Sequence, residues 1–176
     1  MRNLALLFAS LLLSACALAQ TFVNTVGSDD GVAISSFDPV AFFTQKKAIV
    51  GKPEFSHAYL GAKWLFSSEE NLKAFQATPE KYLPEWGGQC ATCVSENCIS
   101  TKKLSGDFEI VDAKLYLFAH GNQSKSQAKD AFVYGRTSKA MRIRDGDKYW
   151  SDLKRKLEDG SAVQPNATNY RRSRFE

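Results

Sequence analysis

Apolar and polar positions alternate in the first third of the chain in a way that predicts a β-hairpin. Phe55, His57 and Tyr59 share one face of the alternation, Gly61 interrupts it, and a short aromatic run follows over 63–66. Alternation with a period of two is typical of a half-buried strand, and glycine allows the tight turn between two such strands. The pattern therefore predicts two short antiparallel strands in this segment.

Directly after this hairpin the apolar period lengthens to that of a helix. Ser67 and Glu70 have the spacing of a capping box, and Leu72 and Phe75 fall on one helical face. We predict a short helix over about residues 68–76, with Ser67 as its N-cap.

A second hairpin is predicted downstream, where two apolar runs, 108–111 and 114–118, flank Asp112 and Ala113. Alanine is a poor residue for a two-residue turn, because such turns require positive φ angles. We therefore expect a turn longer than two residues at this point.

Three further segments have helical character. Residues 89–95 follow a Gly-Gly break and predict the start of a helix, while 124–132 and 148–159 have helical composition with apolar residues near helical spacing. Together the patterns predict an α+β fold. We expect a small single domain of short antiparallel β-hairpins packed against several short helices, plus a C-terminal helix.

The N-terminus has the pattern of a secretory signal peptide. Arg2 is followed by the apolar run 4–13, and Ala17-Leu18-Ala19 provides small residues for cleavage. The run is too short to span a bilayer as a mature helix. We therefore expect residues 1–19 to be removed and the protein to be exported, either periplasmic or secreted.

A lipoprotein signal is an alternative interpretation of the same segment. Residues 13–16, Leu-Ser-Ala-Cys, have the pattern of a bacterial lipobox, in which Cys16 is acylated and becomes the mature N-terminus. An acyl anchor would hold the same domain at a membrane. Membrane contact is expected only in this lipidated alternative.

Charge excludes one class of partner. The formal net charge of +4 is small and dispersed over the 176 residues, which does not predict binding to nucleic acid. Basic residues concentrate only near the C-terminus, at Arg171, Arg172 and Arg174. We predict that residues 161–176 form a flexible basic tail.

Three cysteines remain once Cys16 is removed with the signal peptide: Cys90, Cys93 and Cys98. In an oxidising compartment an odd number of thiols leaves at least one outside any internal disulfide. A disulfide between Cys93 and Cys98 would leave Cys90 as a single thiol. The alternatives are a metal site and a reactive dithiol.

Three blocks in fixed order carry a family resemblance: FDPVAFF at 37–43, the long block 61–91, and VDAKLYLF at 111–118. The chain resembles the YHS domain family, in particular its exported bacterial branch. The resemblance implies a YHS-like domain over about residues 33–120. Residues 121–160 would then form a helical C-terminal extension of the same domain.

The metal-binding members of that family imply a thiolate site, which this chain does not match. Their cysteines correspond here to Ala41, Ser67 and Asn71, none of which supplies a soft ligand. The chain instead resembles the exported branch in its Gly-Gly-aromatic-Cys-Ala motif. Cys90 matches the cysteine of this motif, and Gln89 stands in place of the aromatic residue.

The resemblance implies a non-catalytic binding module rather than an enzyme. We expect no certain cofactor other than a soft or borderline transition metal, Cu or Zn, for which Cys90 at a helix N-terminus is the candidate ligand. Cys93, Cys98 and His57 are the candidate further ligands. Two alternatives stay open: an envelope protein that binds a protein partner and has structural cysteines, and a thiol-redox protein acting through the Cys-x-x-Cys pair.

Overall fold

The computed structural model describes residues 22–26, 28, 30–120 and 127–161. The predicted signal peptide, with Cys16, and residues 162–176 of the predicted tail lie outside the described residues. The helices and strands are, in chain order, α1 (Pro39–Thr44), β1 (Lys52–Tyr59), β2 (Ala62–Phe66), α2 (Glu69–Ala77), α3 (Ala91–Ser95), β3 (Leu104–Val111), β4 (Lys114–Ala119), α4 (Gln127–Tyr134) and α5 (Lys139–Glu158).

The first predicted hairpin is confirmed by the antiparallel pair β1 and β2. Its turn consists of Leu60 and Gly61, with φ angles of 50° and 74°. Two positive φ angles are what a tight hairpin turn requires, because this backbone twist matches the twist of the strands. His57 pairs with Trp64, as the register of the alternating pattern demands.

The second predicted hairpin is also confirmed, as β3 and β4, but the expectation of a longer turn is wrong. Asp112 and Ala113 form the whole turn, with φ angles of 50° and 61°. The left-handed conformation of Ala113 costs about 1–2 kcal/mol. Burial of β4 fixes the register of the hairpin, and the turn adopts the strained geometry that this register imposes.

Strand β4 separates two apolar cores, which explains its nearly continuous apolar sequence. Leu115 and Leu117 point into a first core, and Tyr116 and Phe118 point into a second, with all four side chains buried. Successive side chains of a strand face opposite sides, so a strand that is covered on both faces needs apolar residues at every position.

The first core is closed by the hairpin of β1 and β2, by α1 and by α2, and the second core by α3, α4 and α5. Buried members of the first core include Val40, Phe42, Trp64, Phe66 and Phe75. Buried members of the second core are Trp86, Ala91, Val94, Ile99, Tyr116, Phe118, Phe132 and Leu153. The fold is therefore a small α+β domain with two antiparallel hairpins and a C-terminal helix, as the patterns predicted.

The predicted helix at 68–76 is present as α2, but its N-cap is Ser68 rather than Ser67. The Ser68 side chain accepts a hydrogen bond from the backbone N–H of Asn71. The Ser67 hydroxyl instead donates a hydrogen bond to the carboxylate of Asp38. The cap of α2 therefore lies one residue later than predicted, because Ser67 is hydrogen-bonded to Asp38, the N-cap of α1.

The C-terminal helix α5 is longer than the predicted segment 148–159. It begins after Ser138, whose hydroxyl accepts a hydrogen bond from the N–H of Met141, and it places Gly146 and Leu153 in buried positions. No helix among residues 22–26, 30–120 and 127–161 combines the length and the hydropathy needed to cross a membrane.

Candidate functional site

Three cysteines are arranged around one very short helix, α3. Cys90 is the N-cap, Cys93 is the third residue of the helix, and Cys98 lies two residues beyond the C-cap Glu96. Because α3 has five residues, its third position from the N-terminus is also its third from the C-terminus. Cys93 is therefore adjacent both to the residue that begins the helix and to the segment that ends it.

The C-terminal end of α3 closes in a Schellman motif. Asn97 adopts a left-handed conformation with φ 57°, its N–H bonds the carbonyl of Val94 at 3.0 Å, and the N–H of Cys98 bonds the carbonyl of Cys93 at 2.9 Å. In this motif the residue after the left-handed position packs against the third helical residue from the end. The sequence thereby brings the Cys98 thiol to the Cys93 thiol, and the two interact.

Cys90 lies deep between α3 and β4. Its residue is 1% exposed, and its backbone forms a β-bridge with Leu117. A hydrogen bond from the Cys93 thiol is the largest influence on its ionisation; burial opposes this effect, and backbone N–H groups of Ala119, Cys93 and Thr92 support it. The balance lowers the pKa of Cys90 to about 7.

Cys93 has the opposite electrostatic character. Its hydrogen bond with Cys90, then that with Cys98, then burial, raise its pKa well above the ordinary value of a thiol. Two interacting thiols share their titration, so the pair loses a first proton easily and a second with difficulty. When the pair carries a single negative charge, the charge lies on Cys90 and the proton stays on Cys93.

The lowered pKa predicts a spectroscopic titration. Thiolate absorbance in the ultraviolet should rise with a midpoint near pH 7, because Cys90 is protonated below and ionised above its pKa. In Cys90→Ser the first rise should move to about pH 8.5 or higher, the range of an ordinary thiol. A wild-type midpoint equal to that of the variant would contradict the stabilised thiolate.

The C-terminal helices hold α3 in place. The hydroxyl of Thr92 donates to the carbonyl of Ala128 in α4. Arg142 of α5 donates from Nη1 to the Ser95 hydroxyl at 3.2 Å and to the Glu96 carboxylate at 3.1 Å. Sequence reasoning missed these contacts, because a single arginine in an amphipathic helix gives no signal of its distant partner.

The Gly-Gly turn before Cys90 is fixed by the N-terminal segment. Asn24 is buried, its N–H bonds the carbonyl of Gly87 at 2.8 Å, and its side-chain amide bonds that of Gly88 at 2.9 Å. A Cβ atom on Gly87 would overlap the carbonyl oxygen of Phe22. Glycine is therefore required both by the φ of 61° at this position and by the close approach of the N-terminal segment.

A second polar cluster surrounds Asp38, which is 0% exposed. Its Oδ1 accepts from the N–H groups of Val40 at 2.9 Å and Ala41 at 3.2 Å. Its Oδ2 accepts from the Ser67 N–H at 2.7 Å, the Ser67 hydroxyl at 2.6 Å and the Asn71 amide at 2.6 Å. The carboxylate thus caps α1 and also ties α1 to the junction of β2 and α2.

This cluster occupies the positions at which the metal-binding YHS proteins carry thiolates. Ala41 has no ligating side chain, and Ser67 and Asn71 both donate to Asp38. Hydroxyl and amide groups are poor ligands for soft metals. These residues do not fit the metal that the resemblance implies, and their arrangement is that of a hydrogen-bonded carboxylate.

Neither histidine forms a hydrogen bond with a cysteine in the part of the chain that the structure describes. The His57 ring packs against Tyr59 and Phe75 on the first core, and its Nδ1 faces the amide of Gln76 at 3.4 Å. His120 is exposed at the end of β4. Sequence reasoning grouped His57 with the cysteines, whereas its described contacts are with residues of β1 and α2.

The four-ligand set of three cysteines and His57 is not assembled. In the described part of the chain, no three or more His, Cys, Asp or Glu side chains form a group that could hold a metal ion. Cys90, Cys93 and Cys98 are all free, and no pair of them lies at disulfide distance. What the fold does bring together is a row of thiols with Cys93 between its neighbours.

Comparison with known proteins supports the resemblance over part of the chain. Neither the curated proteins nor the solved structures contain a match. Residues 41–86 match the family model described as the YHS domain, which is roughly a quarter of the 176 residues. The match contains Ser67 and Asn71 and ends before the first cysteine of the row. Over this segment, therefore, the chain is similar to the YHS domain family.

Proposed function

We propose that the protein is an exported, non-catalytic YHS-type binding module that takes a soft transition metal ion through Cys90, assisted by Cys93. The observation that carries the proposal is the contact between an N-cap thiol and a helical thiol one turn away. Side chains at this spacing lie on the same face of a helix. Two sulfur atoms are therefore available to one ion.

The donor set favours Cu(I) over Zn(II). Structural zinc sites use four ligands in a tetrahedron. Among the described residues, no group of three or more His, Cys, Asp or Glu side chains could hold a metal ion. Cu(I) is soft, is selected by thiolates, and is satisfied by two of them. With a pKa of about 7, Cys90 loses its proton more readily than an ordinary thiol, and the ion replaces the proton of Cys93.

Burial favours binding over catalysis at this site. A macromolecular disulfide or thiol substrate would have to reach Cys90, which is 1% exposed and covered by α3 and β4. A single metal ion that is delivered past the half-buried Cys93 meets no such obstacle. The site is thus better suited to holding a small cargo than to turning over a large substrate.

Cu(I) binding to the mature, reduced protein is the test of this proposal. Anaerobic titration against a chromophoric Cu(I) chelator, followed by native mass spectrometry, is expected to show one copper per chain. Cys90→Ser and Cys93→Ser should each weaken binding by at least about 100-fold, because a hydroxyl replaces a thiolate. His57→Asn is the matched control and should bind copper as the wild type does.

A different result would favour the second function. If the reduced protein binds no copper, or if Cys90→Ser binds it unchanged, the cysteines have a structural role. Burial of Cys90 in the packing between α3 and β4 is the observation that supports this alternative. The protein would then be an envelope protein that binds a protein partner.

Export is part of the proposal and rests on the pattern of residues 1–19. Cleavage after Ala19 gives a soluble periplasmic or secreted protein, and acylation of Cys16 gives a membrane-anchored one. The mass of the mature N-terminus from the producing cell distinguishes them.

A further inference from the structure

Cys98 is not a ligand in the proposed copper site, which consists of Cys90 and Cys93. It interacts with Cys93, which also interacts with Cys90, because the Schellman motif folds Cys98 back onto the helix. Cys93 and Cys98 are half-buried, whereas Cys90 is 1% exposed. The row therefore has one thiol closed off from solvent and two that small reagents can reach.

We propose that oxidation of Cys93 and Cys98 to a disulfide switches the metal site off, so that Cys98 is the redox regulator of the Cys90–Cys93 pair. This inference rests on the proposed function, because it concerns the same metal site. Cys93 is the shared member: it can be a metal ligand or half of a disulfide, and it cannot be both at once.

The oxidant is a low-molecular-weight disulfide, R–S–S–R. The Cys98 thiolate attacks one sulfur of R–S–S–R, which forms a mixed disulfide and releases one RS⁻. Cys93 then passes its proton to the released RS⁻ as its sulfur attacks the sulfur of Cys98, which forms the internal disulfide and releases the second RS⁻. The two cysteines lose two electrons and two protons in total, and the oxidant leaves as two RSH molecules.

Solvent access favours this pair over Cys90 and Cys93, whose spacing of three residues on the helix also brings their backbones close. A disulfide requires Cα atoms about 4.4–6.8 Å apart, and the bond from the Cys98 N–H to the Cys93 carbonyl draws these two backbones together. A modest approach of the two sulfur atoms in the turn after α3 would complete the bond. Cys90 is held between α3 and β4, out of reach of the oxidant, and keeps its thiol.

Disulfide mapping on the metal-free protein is the first half of the test. After treatment with oxidised glutathione, peptide mass spectrometry with differential alkylation should find Cys93 joined to Cys98 and Cys90 free. Cys90→Ser should form the same disulfide, and Cys98→Ser should form no internal one. A disulfide between Cys90 and Cys93, or glutathione adducts alone, would overturn the proposal.

Copper binding by the same samples is the second half. The oxidised wild type should bind Cu(I) at least about 100-fold more weakly than the reduced protein, because one of its thiolates is lost. A thiol reductant should restore binding. If the reduced protein binds copper and the disulfide leaves its affinity unchanged, only this inference fails. If the reduced protein binds no copper, the proposed function fails and this inference with it.

Discussion

Asp38→Ala is expected to lower the free energy of unfolding by about 3–5 kcal/mol, because several buried hydrogen-bond donors lose their shared acceptor and each unsatisfied one costs about 1–3 kcal/mol. The Asp38 carboxylate is 0% exposed and accepts five hydrogen bonds. Alanine would leave the N–H groups of Val40, Ala41 and Ser67 without this acceptor in the interior. Since small domains are stable by about 5–15 kcal/mol, the loss is a large part of the whole.

Two milder substitutions of Asp38 separate its hydrogen bonds to α1 from those to Ser67 and Asn71. Asp38→Ser keeps a short acceptor that can cap α1, but it cannot reach Ser67 and Asn71 as well. Asp38→Asn keeps the shape, but its NH₂ group must face hydrogen-bond donors whichever way the amide turns. Both should fall between the wild type and the alanine variant in urea denaturation. Either variant keeps the measurement possible if Asp38→Ala does not fold.

Ser138→Ala is the matched control for this experiment. Ser138 caps α5 through one hydrogen bond to the N–H of Met141, at an exposed position. Loss of a single cap costs about 1 kcal/mol. If Asp38→Ala destabilises the protein no more than Ser138→Ala does, Asp38 is an ordinary helix cap and not the tie between α1 and the junction of β2 and α2.

The Asp38 cluster also shows where local patterns stop being informative. Sequence reasoning correctly predicted the place of α2, since the apolar spacing that identifies this helix lies in neighbouring residues. It assigned the cap of α2 to Ser67, although Ser68 is equally suitable as a cap. The choice between the two serines is made by Asp38, which lies 29 residues before Ser67. A long-range hydrogen bond of this kind leaves no periodic signal in the sequence.

The arrangement of the three cysteines was likewise only partly predictable from the sequence. The approach of Cys98 to Cys93 was predictable, because it follows from the end of a short helix and a residue able to adopt the left-handed conformation. The burial of Cys90 against Leu117 was not, because it depends on the packing of α3 on β4. His57 was grouped with the cysteines on residue type alone, and the hairpin places it against Phe75 instead.

The C-terminal helix is attached to the domain by a contact that requires glycine. Trp86 lies over Gly146 of α5: a Cβ atom added there would overlap Cζ2 and Cη2 of the indole and lie 3.0 Å from Cε2. Other contacts also hold the ring, because its Nε1 donates to Asp147 at 3.1 Å and its edge packs with the ring of Tyr116. A glycine in the middle of a helix is otherwise unfavourable, so close packing is its physical reason here.

Gly146→Leu is therefore expected to destabilise the protein by about 3 kcal/mol through overpacking. Gly146→Ala is the more diagnostic change, because it tests the sign. Helix propensity alone predicts that alanine stabilises by about 1 kcal/mol. The overlap with Trp86 should outweigh this gain and give a net loss of about 1–2 kcal/mol. Urea denaturation followed by circular dichroism measures both variants.

Two further variants decide whether the indole is the cause. In a Trp86→Phe background the smaller ring lacks the overlapping atoms, so Gly146→Ala should cost less there than in the wild type, which a double-mutant cycle detects. Ser151→Leu, at an exposed position of α5, should change stability little. If Gly146→Ala instead stabilises the protein, α5 does not pack on Trp86 as described. The contact of Arg142 with α3 would then lose its basis as well, because it depends on the same docking of α5.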